Sequence, residues 1–236
     1  MNGFGLWESV KARGQAHNVA FQELLAAPMR YVAVAENGEA LEWDATTQKV
    51  SAAPHEAVYR SRAVSSAVEL QAESTIELDG MMRVRLKLEP VKDAVPLQRL
   101  SLEIPLKESQ AQLMHEVTDS LRQCYAGRIP AGEGPVWTSL ESYRAFAWLN
   151  PFTSYIWMGG PARGICWFGE NDKGWITAKN HDEPLMRITR EKDRVVLRVD
   201  LVNVPGTIAE PTELVFGLQA SPTKPLPESY RRKWPK

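Results

Sequence analysis

The strongest constraint on how this chain can fold is a short segment in which apolar and cationic residues alternate without exception. Residues 82–88 read Met-Arg-Val-Arg-Leu-Lys-Leu, so every even position is apolar and every odd position is positively charged. Successive side chains of a β-strand point to opposite faces. The pattern therefore predicts a strand with one face in a core and the other in water. Residues 100–106 repeat the apolar alternation and predict a second strand.

Pro105 lies within the second of these predicted strands. Because proline has no N–H to donate to a ladder of hydrogen bonds, its presence predicts an edge strand or a bulge. A loop at 89–96 lies between the two strands, and we expect them to be neighbours in one sheet.

Turn signals divide the rest of the chain into further short strands. Asp79-Gly80 follows a predicted strand at 75–78, and Asn37-Gly38 lies between predicted strands at 31–35 and 40–43. Such dipeptides supply the positive φ angles that tight hairpins need. Further predicted strands, rich in β-branched and aromatic residues, lie at 153–158, 164–168, 175–178, 186–189, 195–202 and 213–220.

Composition agrees with a folded, mainly β protein. Hydrophobic residues make up 44% of the 236 residues and charged residues 24%, which is typical of a chain that buries a core. Helical patterns are short, and many strands linked by turns are best satisfied by two packed antiparallel sheets. We predict an all-β fold, a large two-sheet antiparallel β-sandwich with little helix, forming a single domain over residues 1–236. Residues 125–135, rich in glycine and proline, are predicted to be a long loop.

Charge and hydropathy exclude several classes of partner. The chain has 28 basic and 29 acidic residues, so no net field attracts it to nucleic acid or to an anionic membrane surface. No apolar run approaches the ~20 residues that span a bilayer, and the N-terminus lacks the features of a signal peptide. The basic cluster at 231–233 is predicted to be a solvated tail. Two cysteines, Cys124 and Cys166, leave one disulfide possible.

The common catalytic motifs do not occur. The sequence contains no Gly-x-Ser-x-Gly elbow and no Cys-x-x-Cys pair, and its four histidines lie far apart. Those histidines are His17, His55, His115 and His181. We therefore predict no catalytic residue, no metal site and no cofactor.

The most unusual segment lies between two tryptophans. Trp167 and Trp175 bracket a polar turn that contains Glu170, Asn171 and Asp172. Aromatic faces stack on the C–H faces of sugars, and neighbouring carboxylates and amides bind hydroxyls, so these five residues are a predicted carbohydrate contact. The alternative is that both indoles are core residues on either side of a tight turn.

Two further hypotheses involve the same carboxylates. Glycosidases use two carboxylates about 5–10 Å apart, so Glu170 and Asp172 are a possible acid and nucleophile pair. Carboxylates are also the natural ligands of calcium, which Glu170 and Asp172 could bind together with Asp182 and Glu183. Paired acidic residues in turns are far more common than either kind of site.

Residues 164–175, 195–203 and 214–225 resemble the β-sandwich domain of glycoside hydrolase family 123-like proteins, a group with bacterial members. The resemblance is clearest over the last third of the chain, and residues 100–106 and 125–137 are compatible with it. It implies a sandwich of the supersandwich, galactose-mutarotase-like kind. In such proteins, the resemblance implies, the N-terminal-type sandwich precedes a (β/α)-barrel whose adjacent Asp and Glu act on N-acetylhexosaminides with the substrate's own acetamido group.

None of those catalytic residues can be placed on a position of this chain, so the resemblance implies a non-catalytic domain that supports a barrel absent from it. Its expected partners are carbohydrate and a C-terminal catalytic domain, with residues 222–236 as a Pro-rich linker or tail. An extracellular or periplasmic location is favoured. A stand-alone carbohydrate-binding module and a sandwich-groove enzyme acting on polysaccharide remain alternatives, because a fold does not transfer an activity.

Overall fold

A computed structural model describes residues 1–14, 20–118, 124–143, 152–178 and 182–223, without the side chains of 142 and 143. Helix in this part of the chain is limited to a 3-10 turn at Glu108–Gln110 and α1 (Leu140–Tyr143). No helix among the described residues has the length and apolar character to cross a membrane. The strands are β1 (Lys11–Ala12), β2 (Gln22–Glu23), β3 (Arg30–Ala35), β4 (Asp44–Ala52), β5 (Glu56–Val64), β6 (Val68–Glu77), β7 (Met81–Pro90), β8 (Leu97–Lys107), β9 (Leu113–Thr118), β10 (Cys124–Arg128), β11 (Gly134–Thr138), β12 (Thr153–Gly160), β13 (Arg163–Phe168), β14 (Met186–Glu191), β15 (Arg194–Val202) and β16 (Thr212–Ser221).

Two large antiparallel sheets form the body of the described chain. The larger has nine strands in the order β10-β9-β12-β13-β16-β7-β6-β5-β4, and the smaller has five in the order β11-β14-β15-β8-β3. A separate hairpin joins β1 and β2. The predicted fold class, an all-β antiparallel sandwich with little helix, is therefore confirmed.

The core lies between the two sheets. On β7 the four even-numbered apolar residues are completely buried, while Arg83, Arg85 and Lys87 lie on the opposite face. On β8 the residues from Leu100 to Leu106 at even positions are buried in the same hydrophobic cluster. Each such side chain contributes about 1.5–3 kcal/mol through burial. The period-two pattern thus assigned the faces of both strands correctly.

The predicted pairing of these two strands was wrong. β7 pairs with β6 and β16, whereas β8 lies in the other sheet between β15 and β3. The connection at 91–96 passes from one layer to the other, because both strands need a facing layer for their apolar sides. Alternation indicates which face is buried but contains no information about the hydrogen-bonding partner.

Pro105 also lies elsewhere than predicted, within a central strand. Its carbonyl accepts a hydrogen bond from the N–H of Ala26 at 2.9 Å. The N and O of a strand residue point to the same side, so the missing N–H of Pro105 is on the side of Ala26. Pairing with β3 has already ended at Glu103. The ladder with β15 therefore loses no hydrogen bond to the proline.

The other predicted strands have mixed outcomes. The β6–β7 and β14–β15 hairpins are confirmed. Residues 40–43 and 175–178 form only isolated bridges, at Ala40 and Ile176 respectively, and the predicted loop at 125–135 contains most of β10. Cys124 and Cys166 are both free thiols. Residues 224–236, which include most of the predicted linker and the basic cluster, lie outside the described residues, as do His17 and His181.

The N-terminal segment packs against the inner face of the nine-stranded sheet at β4, β5 and β6. Hydroxyl groups on that face bond its backbone: Ser61 donates to the carbonyl of Phe4 at 2.9 Å, and Ser74 donates to the carbonyl of Gly5 at 2.7 Å. Leu6 is completely buried in the core cluster. Residues 1–6 therefore belong to the sandwich.

Charged side chains form a network across the outer face of the five-stranded sheet. Glu103 accepts hydrogen bonds from Arg30 at 2.9 Å and from Arg198 at 2.7 Å. Arg198 also donates to Glu191, which accepts a second bond from Arg194. Burial raises the pKa of Glu191, but the bonds from Arg198 and Arg194 outweigh that effect, and its net pKa lies below the usual 4.5.

Replacing Gly5 with alanine should destabilise the sandwich more than the same change at Gly38. Both glycines have positive φ, at 69° and 86°, which alanine adopts with strain. A Cβ at Gly5 would lie 2.7 Å from Oγ of Ser61, whereas nothing lies within 4 Å of a Cβ at Gly38. We expect a loss of about 2–4 kcal/mol for Gly5→Ala and about 1 kcal/mol for Gly38→Ala, measured by chemical denaturation. Equal losses would show that the contact with Ser61 is unimportant.

Glu191→Gln should weaken the dependence of stability on pH. A carboxyl whose pKa is lower in the folded state stabilises the fold above its unfolded pKa, here about 4.5, and loses that contribution as pH falls below it. Denaturation midpoints between about pH 3 and pH 6 should therefore fall less steeply for Glu191→Gln than for the unsubstituted chain. Glu210→Gln, which removes an exposed glutamate outside the network, is the control. An unchanged pH profile for Glu191→Gln would contradict the prediction.

Candidate functional site

The candidate site lies on the outer face of the nine-stranded sheet, where β13, β16 and β7 are neighbours. Along β13, Trp167 points into the core, so the next residue, Phe168, points outward. Phe168 is paired with Gly217 of β16, and Gly217 is paired with Arg83 of β7. Val215, also outward on β16, is 49% exposed. The register of three strands therefore brings these four residues together.

Phe168 lies directly over the backbone of Gly217. A Cβ built at Gly217 would lie only 2.1 Å from Cζ of the ring and 2.3 Å from one Cε. No side chain larger than hydrogen fits under the ring, so Gly217 is required for this packing. The ring is held against the sheet and is half-buried.

A cavity of about 400 Å³ opens beside this ring. This volume is within the usual range for small-molecule sites, about 300–1,000 Å³. Its floor is formed by the outward residues of β16 and β7, and one wall is the loop after β13. The lining residues are Met81, Arg83, Phe168, Gly169, Glu170, Asn171, Lys173, Glu213, Val215, Phe216 and Gly217. We call this space the Phe168 cavity.

The loop that forms the wall is held at both ends. The N–H of Gly169 donates to the carbonyl of Ser154 at 2.9 Å, and Oδ1 of Asn171 accepts from the N–H of Lys173 at 3.1 Å. Gly174 has φ of 81°, and a Cβ there would lie 2.4 Å from a methyl group of Thr212. The side chains on this loop are therefore displayed from a fixed backbone.

Polar groups of both signs surround the ring. Arg83, Lys173 and Glu170 make no ion pair with any residue that the structure describes, whereas Glu213 is paired with Arg85 at 3.2 Å. The rim of the cavity therefore has hydrogen-bond donors and acceptors that are not committed to each other.

A larger concavity of about 630 Å³ adjoins it on the same face, over β4 to β7. The arginines that line it form cross-strand ion pairs: Arg60 with Glu73 at 3.0 Å, Arg62 with Glu69 at 2.6 Å, and Arg85 with Glu213 at 3.2 Å. A hydrogen bond from Arg62 outweighs burial and keeps the pKa of Glu69 below 4.5. Among the residues that the structure describes, no aromatic side chain lines this concavity.

A second aromatic group lies on the outer face of the same sheet, toward the other end of β13. The indole of Trp157 lies over Gly159 and Gly164, and its Nε1 donates to Oγ of Ser221 at 2.9 Å. Burial raises the pKa of the Cys166 thiol to about 11, so this cysteine is protonated at neutral pH and is not a nucleophile.

The structure separates the five predicted carbohydrate-contact residues into two groups. Trp167 is 1% exposed and its ring packs against Phe152, Phe216 and Trp175 at centroid distances of 6.2–6.3 Å. Trp175 is half-buried in the same cluster, 5.6 Å from Phe152. Trp167 thus occupies a core position and has no face available to a ligand in this structure, whereas Trp175 packs against the core and is partly exposed.

The polar members of the prediction lie in or beside the cavity. Glu170 and Asn171 are exposed and line it, whereas Asp172 is half-buried and does not. Glu170 and Asp172 therefore do not face one cavity as an acid and nucleophile would. Asp182 and Glu183 line a different concavity, and no group of three or more His, Cys, Asp or Glu in the described ranges is placed to hold a metal ion.

Sequence reasoning missed Phe168, Gly217, Val215 and Arg83. Alternation along β13 was the available signal for Phe168, because a buried Trp167 requires its neighbour to point outward. The pairing of Phe168 with Gly217 joins strands that are distant in the sequence, and no local pattern indicates it.

Comparison with known proteins gives one family. The sequence matches the model of the glycoside hydrolase 123 third domain over residues 3–137. No curated protein matches it. The family resemblance drawn from residues 164–225 is thereby confirmed, although the matched residues lie in the other part of the chain, from β1 into β11. Because the match covers more than half of its length, this chain belongs to the glycoside hydrolase 123 third-domain family.

Proposed function

We propose that this chain is a non-catalytic β-sandwich domain of a glycoside hydrolase family 123-like carbohydrate-active protein, and that it supports a catalytic barrel located elsewhere in that protein. The observation that carries the proposal is how the buried carboxylates are used. The carboxylates of Asp200 and Glu103, both buried, accept hydrogen bonds from arginine and serine side chains within the five-stranded sheet and hold its strands together.

Asp200 is the clearest example. It is completely buried on β15, where its carboxylate accepts a hydrogen bond from Oγ of Ser101 at 2.5 Å and from Nε of Arg187 at 3.0 Å. Glu103, 6% exposed, is bonded by two arginines in the same sheet. Removing one partner of such a buried pair lowers the free energy of unfolding by about 3–5 kcal/mol. The role of these carboxylates is therefore structural.

The direction of the pKa shifts supports the same function. A glycosidase needs a carboxylic acid with a raised pKa to protonate the leaving group. Hydrogen bonds lower the net pKa of Glu23, Glu69 and Glu191, despite burial that acts in the opposite sense. These three carboxylates are thus stabilised as anions, which suits ion pairing and opposes proton donation. The sandwich-groove enzyme, one of the alternatives drawn from the sequence, requires a carboxyl whose pKa is raised.

A carbohydrate-binding module is the second candidate, and the surface favours it. A domain that only docks to another should expose a contiguous apolar patch of several hundred Å². The large apolar side chains exposed in the described ranges are instead dispersed along the chain: Val50, Tyr125 and Val215 lie on β4, β10 and β16, of which β4 and β10 are opposite edges of the nine-stranded sheet, and Phe21, Leu78 and Val95 lie in connections. The Phe168 cavity combines an aromatic ring with polar neighbours, as a glycan contact does.

The chain alone should not hydrolyse glycosides. We expect the release of nitrophenol from nitrophenyl N-acetylhexosaminides to equal the rate in buffer, because Glu170 and Asp172 do not line one cavity as an acid and a nucleophile would, and the pKa values of Glu23, Glu69 and Glu191 are lowered. A colorimetric assay at pH 4 to 8, in which each sample is made alkaline before the absorbance of nitrophenolate is read, measures this rate.

Glu170→Gln and Asp172→Asn are the controls for any residual rate. Turnover that both substitutions abolish would assign an active site to this loop and overturn the proposal. Turnover that both variants retain, and whose specific activity stays constant through a further purification step, would place an active site elsewhere in the chain and would also overturn the proposal.

A further inference from the structure

We propose that the Phe168 cavity is a saccharide-binding site, in which one sugar ring stacks on Phe168 and its hydroxyls bond to the residues of the rim. The proposal rests on the proposed function in one respect, namely that the sugar is bound and not cleaved. Its residues are Phe168 and Val215 on the sheet, Arg83 beside them, and Glu170 and Asn171 on the loop.

The apolar part of the cavity has the form that a sugar needs. A pyranose has one face of C–H groups, which packs on an aromatic ring, and such contacts are worth about 0.5–1.5 kcal/mol beyond the buried area. The ring of Phe168 is fixed over Gly217, and Val215 extends the apolar surface along β16. Little conformational freedom of this surface is lost when a ligand binds.

The polar part distinguishes a saccharide from an apolar ligand. Arg83, Glu170 and Lys173 lack ion-pair partners in the described part of the chain, so they are available for hydrogen bonds. An apolar side chain of a bound peptide would cover these groups and leave them unsatisfied, at about 1–3 kcal/mol for each one buried. Hydroxyls placed around the edge of a sugar satisfy donors and acceptors alike.

The adjoining concavity over β4 to β7 is a weaker candidate despite its larger volume. Its arginines and glutamates already bond one another across the strands, and a ligand would have to break those pairs. Its described lining also contains no aromatic ring on which a sugar could stack. Glu213 lines both spaces, so a longer glycan that is anchored at Phe168 can extend toward the charged strands.

The test is an NMR titration of the full chain with short oligosaccharides, one set neutral and one set carrying carboxylates. We expect saturable shifts of the amide resonances of Gly169, Lys173 and Gly217. If the acidic set binds more tightly, Arg83 and Lys173 select a sugar acid, and Arg83→Gln should remove that preference. If the neutral set binds equally well, stacking and hydroxyl contacts are sufficient.

Matched substitutions test the ring and the adjacent valine. Phe168→Tyr keeps the aromatic face and should retain affinity within about twofold, whereas Phe168→Leu keeps the apolar cover over Gly217 without the face and should bind about five- to tenfold more weakly. Val215→Ala should bind about twofold more weakly. Val50→Ala removes a similarly exposed valine, 46% against 49%, from another strand of the same sheet and should leave binding unchanged.

Two outcomes would overturn the saccharide site. The first is that no oligosaccharide in either set causes a saturable shift. The second is that the shifts are confined to residues of β4 to β7 and that the Phe168→Leu and Phe168→Tyr variants bind the oligosaccharides with equal affinity. If Phe168→Leu does not fold, the comparison of Val215→Ala with Val50→Ala decides. Hydrolysis of the probe during the titration would overturn the proposed function instead.

Discussion

The fold depends on keeping one face of a nine-stranded sheet away from water. Five strands are too few to cover nine, and the chain uses two layers for the purpose. The five-stranded sheet packs its apolar residues against the centre of the larger sheet. The N-terminal segment covers β4, β5 and β6, where Ser61 and Ser74 bond its backbone carbonyls. Hydroxyl groups are tolerated on the inner face there because the segment that covers them presents backbone carbonyl groups, which need hydrogen-bond donors once they are buried.

That second layer explains which strands could be predicted from the sequence. β7 and β8 face a layer of side chains, so their inner positions are strictly apolar and the period-two signal is clear. β4 and β5 face the backbone of the N-terminal segment, so Thr47 and Ser61 replace large apolar residues and the alternation is lost. β13 was recognised from composition, but its residues are apolar on both faces, and Trp167 and Phe168 could not be told apart without the register. One strand that each of β7 and β8 pairs with lies far away in the sequence, as β16 does for β7 and β15 for β8. No local pattern indicates such a partner, which is why β7 and β8 were wrongly paired.

On the outer face, the same sheet meets solvent in two ways. Over β4 to β7, opposite charges on neighbouring strands pair directly, which is the usual arrangement of a solvated sheet. Over β12, β13 and β16, aromatic rings lie on glycines: Trp157 on Gly159 and Gly164, and Phe168 on Gly217. Each ring covers backbone that a glycine leaves open, and this stabilises a strand that glycine alone would weaken.

The two arrangements leave different capacities for binding. Where arginines and glutamates pair across strands, their hydrogen bonds are already made within the protein. The same holds on the five-stranded sheet, where Arg198 bonds both Glu103 and Glu191. At the Phe168 cavity a ring held against the sheet adjoins Arg83 and Glu170, which have no such partners among the described residues. A ligand gains most where apolar surface and uncommitted polar groups meet, because there it displaces water without breaking a protein pair.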